Sequence, residues 1–288
     1  MIQLGDFKVF PLADGHFCLD GGLVFGLIPR VMWSKHNPPD DKNLVPLHVR
    51  PMLVDTGEKR ILFDTGIGDR YGSKFAKIYG VQREEGQLLL SLKNEGYAPE
   101  DITDVVFSHL HFDHCGGASL EDKDGIPRLA FPNAVYYSSP NEYTDARNTN
   151  PRTKGSYRAD FIEPIAASGH MHLIRFEGNI LPGVTALRTP GHTADHYSFL
   201  IQSQGQHLIF WADLMPLRVH MHPTYATALD THPMMTMESK QRLIKRAVDE
   251  GWHYHYFYHE MQPVVSAAEV EEHLAEVLAE PEPNGLVL

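Results

Sequence analysis

A chain of 288 residues carrying 37 acidic against 25 basic side chains, net charge −12 and no Lys/Arg run, lacks the electrostatic footprint of a nucleic-acid binder. Its two cysteines, Cys18 and Cys115, supply no disulfide framework. No apolar run approaches the roughly 20 residues of a bilayer span, and MIQLGDFKVF lacks the regions of an export signal, so a cytoplasmic protein without membrane partners is expected.

In chain order, FKVFPLADG, HVRPMLVDTG and KRILFDTG alternate or run apolar and close on Asp/Gly punctuation, the pattern of short strands. A helix is expected at about 83–95, with Leu88, Leu89 and Leu92 on one face and Gly96 placed to stop it. DITDVVFSH has a buried-strand core at Val105, Val106 and Phe107. AVYYS at 134–138 reads as a strand, and 141–157 as a polar helix and loop. HMHLIRFEG, VTALRTPG, YSFLIQSQ and HLIFWAD are the strand candidates of the second half. A helix from about Glu238 to Glu250 closes at Gly251, and WHYHYFYHE is a last strand. SAAEVEEHLAEVLAE is a helix whose capping box pairs Ser266 with Glu269, and PEPNGLVL is expected to fray. A block of strands followed by a helix thus occurs once in each half.

The 18 histidines are the compositional anomaly, and their placement carries the chemistry. HLHFDH at 109–114 directly follows VVFS. In extended backbone His109 and His111 project to one side, and a chain reversal at Gly116 and Gly117 brings Asp113 and His114 towards the same point. Four donors in six residues at a strand end are a dense metal-site signal. His192 in TPGHT, Asp213 in FWAD and His259 in FYHE stand at further strand ends. Each is weak alone; together they complete the seven donors that a two-metal site requires. A site shared by both halves favours one domain over 1–288. His170 and His172 read as a solvated strand face, and His253 and His255 as the polar side of the last strand. Cys115 reads as a small turn residue.

On Asp64 in LFDTG, HLHFDH, His192 in PGHT, Asp213 and His259, the chain resembles the metallo-β-lactamase superfamily over nearly its whole length. The resemblance implies an α/β fold, a four-layer αββα sandwich with two mixed sheets and ligands along one edge. It also implies the pairing: His109, His111 and His192 on one ion, Asp113, His114 and His259 on the other, and Asp213 bridging. Two divalent ions would share a hydroxide nucleophile, with Asp113 and Asp213 as the catalytic carboxylates. His/Asp donors accept several first-row ions, zinc first, with manganese, cobalt or iron also fitting. Asp64 is expected to orient the HLHFDH loop, or else to be a plain turn residue.

Within the superfamily the chain looks nearest to quorum-quenching lactonases and methyl parathion hydrolase-like enzymes. His114 and Asp213 differ from the Arg and Cys of zinc β-lactamases. Lactonases of this kind carry a tyrosine three residues after the bridging aspartate; here the residue is Pro216, which leaves Tyr225 or water to supply a proton. The expected activity is hydrolysis of lactones or carboxylic esters with an apolar portion. A phosphotriesterase and an iron-dependent sulfur dioxygenase are the alternatives, and a homodimer stays open. Residues 20–45 are expected to form a lid or pocket wall, with Phe25 and Trp33 against substrate or simply in the core. Met215, Met221, Met234 and Met235 suggest an adaptable pocket or core filler. His220 is expected to reach the site as a hydrogen-bond donor.

Overall fold

Alternating apolar residues near the N-terminus make an antiparallel start. In the computed structural model, which describes residues 1–84 and 86–279, Ile2–Leu4, Phe7–Pro11, Met52–Asp55 and Arg60–Phe63 pair antiparallel in turn. Asp104–Val106, Val135–Ser138 and Met171–Leu173 extend this sheet in parallel to seven strands. Val105 and Val106 are fully buried, as the continuous apolar run of a central parallel strand requires.

The second sheet has six strands: Gly178–Leu181, Val184–Arg188, Tyr197–Ser203, Gln206–Phe210, Tyr254–Tyr256 and Val264–Ser266. The sheets meet through aromatic rings, Phe63 of the first lying 5.4 Å from Phe199 and 5.7 Å from Phe210 of the second. Behind the second sheet, Leu187, Leu200, Ile209 and Trp211 pack on Leu243 and Ala247 of helix Pro233–Asp249 and on Val270 of helix Ala267–Ala279. Helix Ala159–Ser168 lies along Met171–Leu173 and buries Phe161, Ile162 and Ile165. Helix, sheet, sheet and helix follow one another, so the architecture is the expected αββα sandwich.

Strand direction puts the loaded loops at one edge. Arg60–Phe63 and Asp104–Val106 are parallel, so Asp64 and the HLHFDH segment leave the first sheet side by side. Val184–Arg188 lies two antiparallel steps from Gln206–Phe210, which runs parallel to Tyr254–Tyr256. The loops to His192, Asp213 and His259 therefore leave the second sheet in the same direction. At the TPGHT turn, Gly191 sits at φ +151°, and a Cβ there would lie 2.2 Å from Thr236 Oγ1; only glycine allows that approach.

Several boundaries differ from the sequence reading. Within HVRPMLVDTG the strand is only Met52–Asp55, and His48 instead closes a separate strand, Leu44–His48, with Pro51, which has no N–H to offer a ladder, in the break between them. The first predicted helix is shorter, Gln87–Asn94. The later one begins at Pro233, whose ring suits a first turn. Ser266 and Glu269 form the capping pair. PEPNGLVL lies outside the described residues. Among the described residues no helix is long and apolar enough to cross a membrane.

Candidate metal centre

The sandwich edge brings all seven predicted donors together. His109, His111 and His192 form one cluster, and Asp113, His114 and His259 a second. His109, His114 and Asp213 join the two; within each group the donor atoms lie within 4.8 Å of one another. The Asp213 carboxylate stands between the halves. Its Oδ2 is 3.3 Å from His192 Nε2 and 4.0 Å from His109 Nε2, while Oδ1 is 3.4 Å from His114 Nε2 and 3.3 Å from His259 Nε2. Asp113 Oδ2 lies 3.6 Å from His114 Nε2 and 3.5 Å from His259 Nε2.

Four of the imidazoles are oriented by a partner on the other ring nitrogen. His114 Nδ1–H donates to Asp64 Oδ2 at 2.8 Å, His192 Nδ1–H to Asp230 Oδ1 at 3.0 Å, and His259 Nδ1–H to the His48 carbonyl at 2.8 Å. The Ser108 hydroxyl donates to Asp64 Oδ2 at 2.7 Å and so accepts from His109 Nδ1–H at 3.0 Å. All four partners demand the Nδ1–H tautomer, which leaves the Nε2 lone pair facing the centre. Asp64 thus serves two rings at once, and Ser108 N–H reaches its Oδ1 at 2.8 Å. It does so from φ +54°, and Ala212, next to Asp213, sits at +48°. Such left-handed conformations cost energy for residues with a Cβ and cluster at functional sites.

These residues fit a cation. His109 Nε2, His114 Nε2 and Asp213 Oδ1 are buried and have no hydrogen-bond partner, although buried polar atoms are ordinarily paired. Burial and the surrounding imidazoles push His109 well below its ordinary pKa, and His111 likewise, so both rings are neutral and free to ligate. Burial disfavours a proton on His114, but the Asp213, Asp113 and Asp64 carboxylates outweigh it and raise this group well above the usual range. Three carboxylates around one ring call for positive charge, which a proton or a metal ion supplies.

A family model described as the metallo-beta-lactamase superfamily matches residues 44–250. The chain belongs to the metallo-beta-lactamase superfamily. Among its relatives, an N-acyl homoserine lactonase of Bacillus cereus is 32% identical over 177 residues, 58% of this chain and 63% of that protein, so the match spans less than two thirds of it. The N-acyl homoserine lactonase AttM of Azorhizobium caulinodans is 25% identical over 198 residues, 65% of this chain and 70% of that one. A probable metal-dependent hydrolase from Staphylococcus aureus superposes with a TM-score of 0.83 at 28% identity, covering 92% of this chain and 94% of the other. AidC, a dizinc quorum-quenching lactonase, does so with a TM-score of 0.74 at 25% identity over 92% of each chain.

Beside the metallo-beta-lactamase donors lies a cavity of about 190 Å³. Phe17, Leu19, Leu23, Val24, Leu47 and Leu229 give it apolar walls, and His111, Asp113, His192, Asp213 and His259 line it as well. The segment 20–45 contributes Leu23 and Val24 rather than the aromatic residues expected of it. Phe25 and Trp33 are buried and stack on each other at 4.4 Å, behind the wall. His220 stacks on Phe25 at 5.6 Å and holds the Val24 carbonyl at 3.0 Å, so it supports the wall instead of reaching the centre. Met215 and Met221 are packed behind the second sheet, Met234 and Met235 are exposed, and Tyr225 is buried outside the cavity lining. Pro216 does line the cavity. The cost of leaving large aromatic rings wet decides these placements.

One histidine reading also changes. His255 is buried, not on a polar strand side, and accepts from Trp211 Nε1–H at 3.2 Å. His196 is buried too, where its Nε2 accepts the Asp213 N–H at 3.2 Å; burial lowers its pKa to about 3. Cys115 is buried, and its thiol donates to the Leu110 carbonyl at 3.4 Å. Asp230, Glu142 and Tyr258 escaped the sequence reading. Asp230 is 38 positions from His192, and Tyr258 stacks on His114 at 4.3 Å while its hydroxyl donates to the Asp113 carbonyl at 2.7 Å. Ser108 had a legible signal, since it adjoins His109.

Proposed function

We propose that this chain is a binuclear metal-dependent hydrolase that opens lactones bearing an apolar acyl group, acyl homoserine lactones being the class its relatives indicate. The observation that carries this reading is the Asp213 carboxylate, each of whose oxygens faces imidazole nitrogens of a different donor group. His109, His111 and His192 would hold one ion and Asp113, His114 and His259 the other, with Asp213 shared; zinc suits this mixture of imidazole and carboxylate. Bound there, the ions would supply Lewis acidity and bring the pKa of a coordinated water towards neutrality.

The chain's own residues orient and select. Asp64, Ser108, Asp230 and the His48 carbonyl keep the rings aimed before any ligand arrives, so little reorganisation is needed on binding. Leu19, Leu23, Val24, Leu47 and Leu229 receive the apolar part of the substrate and exclude water around it. Segment 20–45 acts as a wall, braced from behind by the Phe25–Trp33–His220 stack.

The test pairs a metal count on the purified protein with turnover of acyl lactones, aryl esters and phosphotriesters. Two ions per chain and a preference for acyl lactones that strengthens with chain length support the reading. One iron per chain, or no turnover of any substrate by fully loaded protein, overturns it.

A further inference from the structure

We propose that Glu142 is a positioning residue, which sets the spacing between the loops of His111 and His192 and so the affinity of that half of the centre for its ion. The inference rests on the metal-centre reading above. Helix Pro140–Arg147 is mostly polar, yet Glu142 is fully buried within it, and an ionisable side chain is rarely buried unless its partners compensate.

Its hydrogen bonds go to the His111 loop and to Tyr157 beside it, and its carboxylate also neighbours the His192 loop at Thr193. Glu142 Oε2 accepts the N–H of Leu110, the residue between His109 and His111, at 3.1 Å, and the Tyr157 hydroxyl at 3.0 Å. The Tyr157 ring stands edge-on to His111 with centroids 4.7 Å apart. The two backbones form an antiparallel bridge, and Phe112 N–H reaches the Ser156 carbonyl at 2.8 Å. The hydroxyl of Thr193, the residue after His192, lies near enough to the carboxylate to favour its charge, and Glu142 Oε1 and Thr193 Oγ1 are both buried without a hydrogen-bond partner of good geometry.

The loops come from different sheets, so no strand ladder fixes their distance. Tyr197 N–H to the Ser108 carbonyl ties only their roots. Further out, His111 Nδ1 and His192 Nε2 converge to 3.0 Å, and a displaced loop would point one lone pair away from the shared ion. His114 and His259 are aimed by Asp64 and the His48 carbonyl instead. Loss of Glu142 is therefore expected to weaken one ion and spare the other.

The experiment compares wild type with Glu142→Ala, Glu142→Gln and Tyr157→Phe. Zinc affinity is read by chelator competition on metal-depleted protein, and site geometry by the visible spectrum of the cobalt-loaded form. Glu142→Ala should weaken one ion by about 10–100-fold and leave the other within about threefold. Glu142→Gln keeps an acceptor for Leu110 and Tyr157 and offers an N–H to Thr193, so it should restore most of that affinity. Tyr157→Phe retains the ring and should give an intermediate loss at the same ion, with a shifted cobalt spectrum; it decides the matter if the alanine variant fails to fold. Two wild-type ions with unchanged affinities in the variants, or parallel loss of both ions, overturn the role of Glu142 alone. A wild-type protein that takes up no ion overturns the metal centre and this inference together.

Discussion

His255 offers a test of the fold that is separable from the site. Burial lowers its pKa from 6.5 to about 4, against a backbone hydrogen bond at Trp252 that favours the charged form. Neutral His255 accepts the Trp211 indole N–H; a proton on that nitrogen would set two donors against each other in a buried space. The unfolded chain takes up a proton near pH 6.5, whereas the native chain resists until about pH 4. Stability is therefore lost as pH falls through that window and is level below it. Between about pH 7.5 and pH 5 this one group should cost about 2 kcal/mol, rising to about 3 kcal/mol below pH 4. His255→Asn keeps an acceptor for Trp211 and removes the titration. Urea unfolding of both proteins across this range measures the difference in slope, in which contributions from bound metal and other histidines cancel. The variant should lose about 2 kcal/mol less than wild type by pH 5. Curves that stay parallel to within about 0.5 kcal/mol would refute the burial argument.

Three further outcomes are expected. Asp213→Ala should lower turnover by more than roughly 100-fold and release both ions, with the circular dichroism of the fold preserved; near-normal turnover would show that this carboxylate does not join the halves. Asp230→Asn keeps an oxygen for His192 and Thr227, both bonded to Oδ1, but removes the charge. A loss of about 10-fold in zinc affinity is expected, measured by chelator competition. Trp33→Ala removes the ring that lies directly beneath Gly21 and against Phe25. It should cost about 3–5 kcal/mol in urea unfolding and raise KM for long-chain lactones more than for short ones. Equal KM changes at all chain lengths would mean that the stack does not support the apolar wall.

How much was legible depended on whether the signal was local. HLHFDH packs four donors into six residues, so a polar cluster followed by two glycines announced itself without help from the rest of the chain. His192, Asp213 and His259 each follow an apolar strand, and strand ends are where an α/β fold exposes loops. Phe25 and Trp33 lie in a suitably apolar segment, but a linear pattern does not distinguish a ring that faces a cavity from one that braces the wall behind it. His255 shares its alternation with His259, and it is tertiary packing, the Trp211 indole included, that makes the position buried and neutral.

What the amino-acid order determined by itself was the inventory: two blocks of strands and helices, seven donors at strand ends, and an apolar segment near the N-terminus. The tertiary structure decided how these are held. The Asp230 carboxylate meets His192 across 38 positions, and Glu142 meets Leu110 across 32, contacts that no period of 2 or 3.6 residues can encode. They arise because two sheets stacked face to face bring loops from distant parts of the chain to a common edge, where a buried charge persists only if the folded partner supplies its hydrogen bonds.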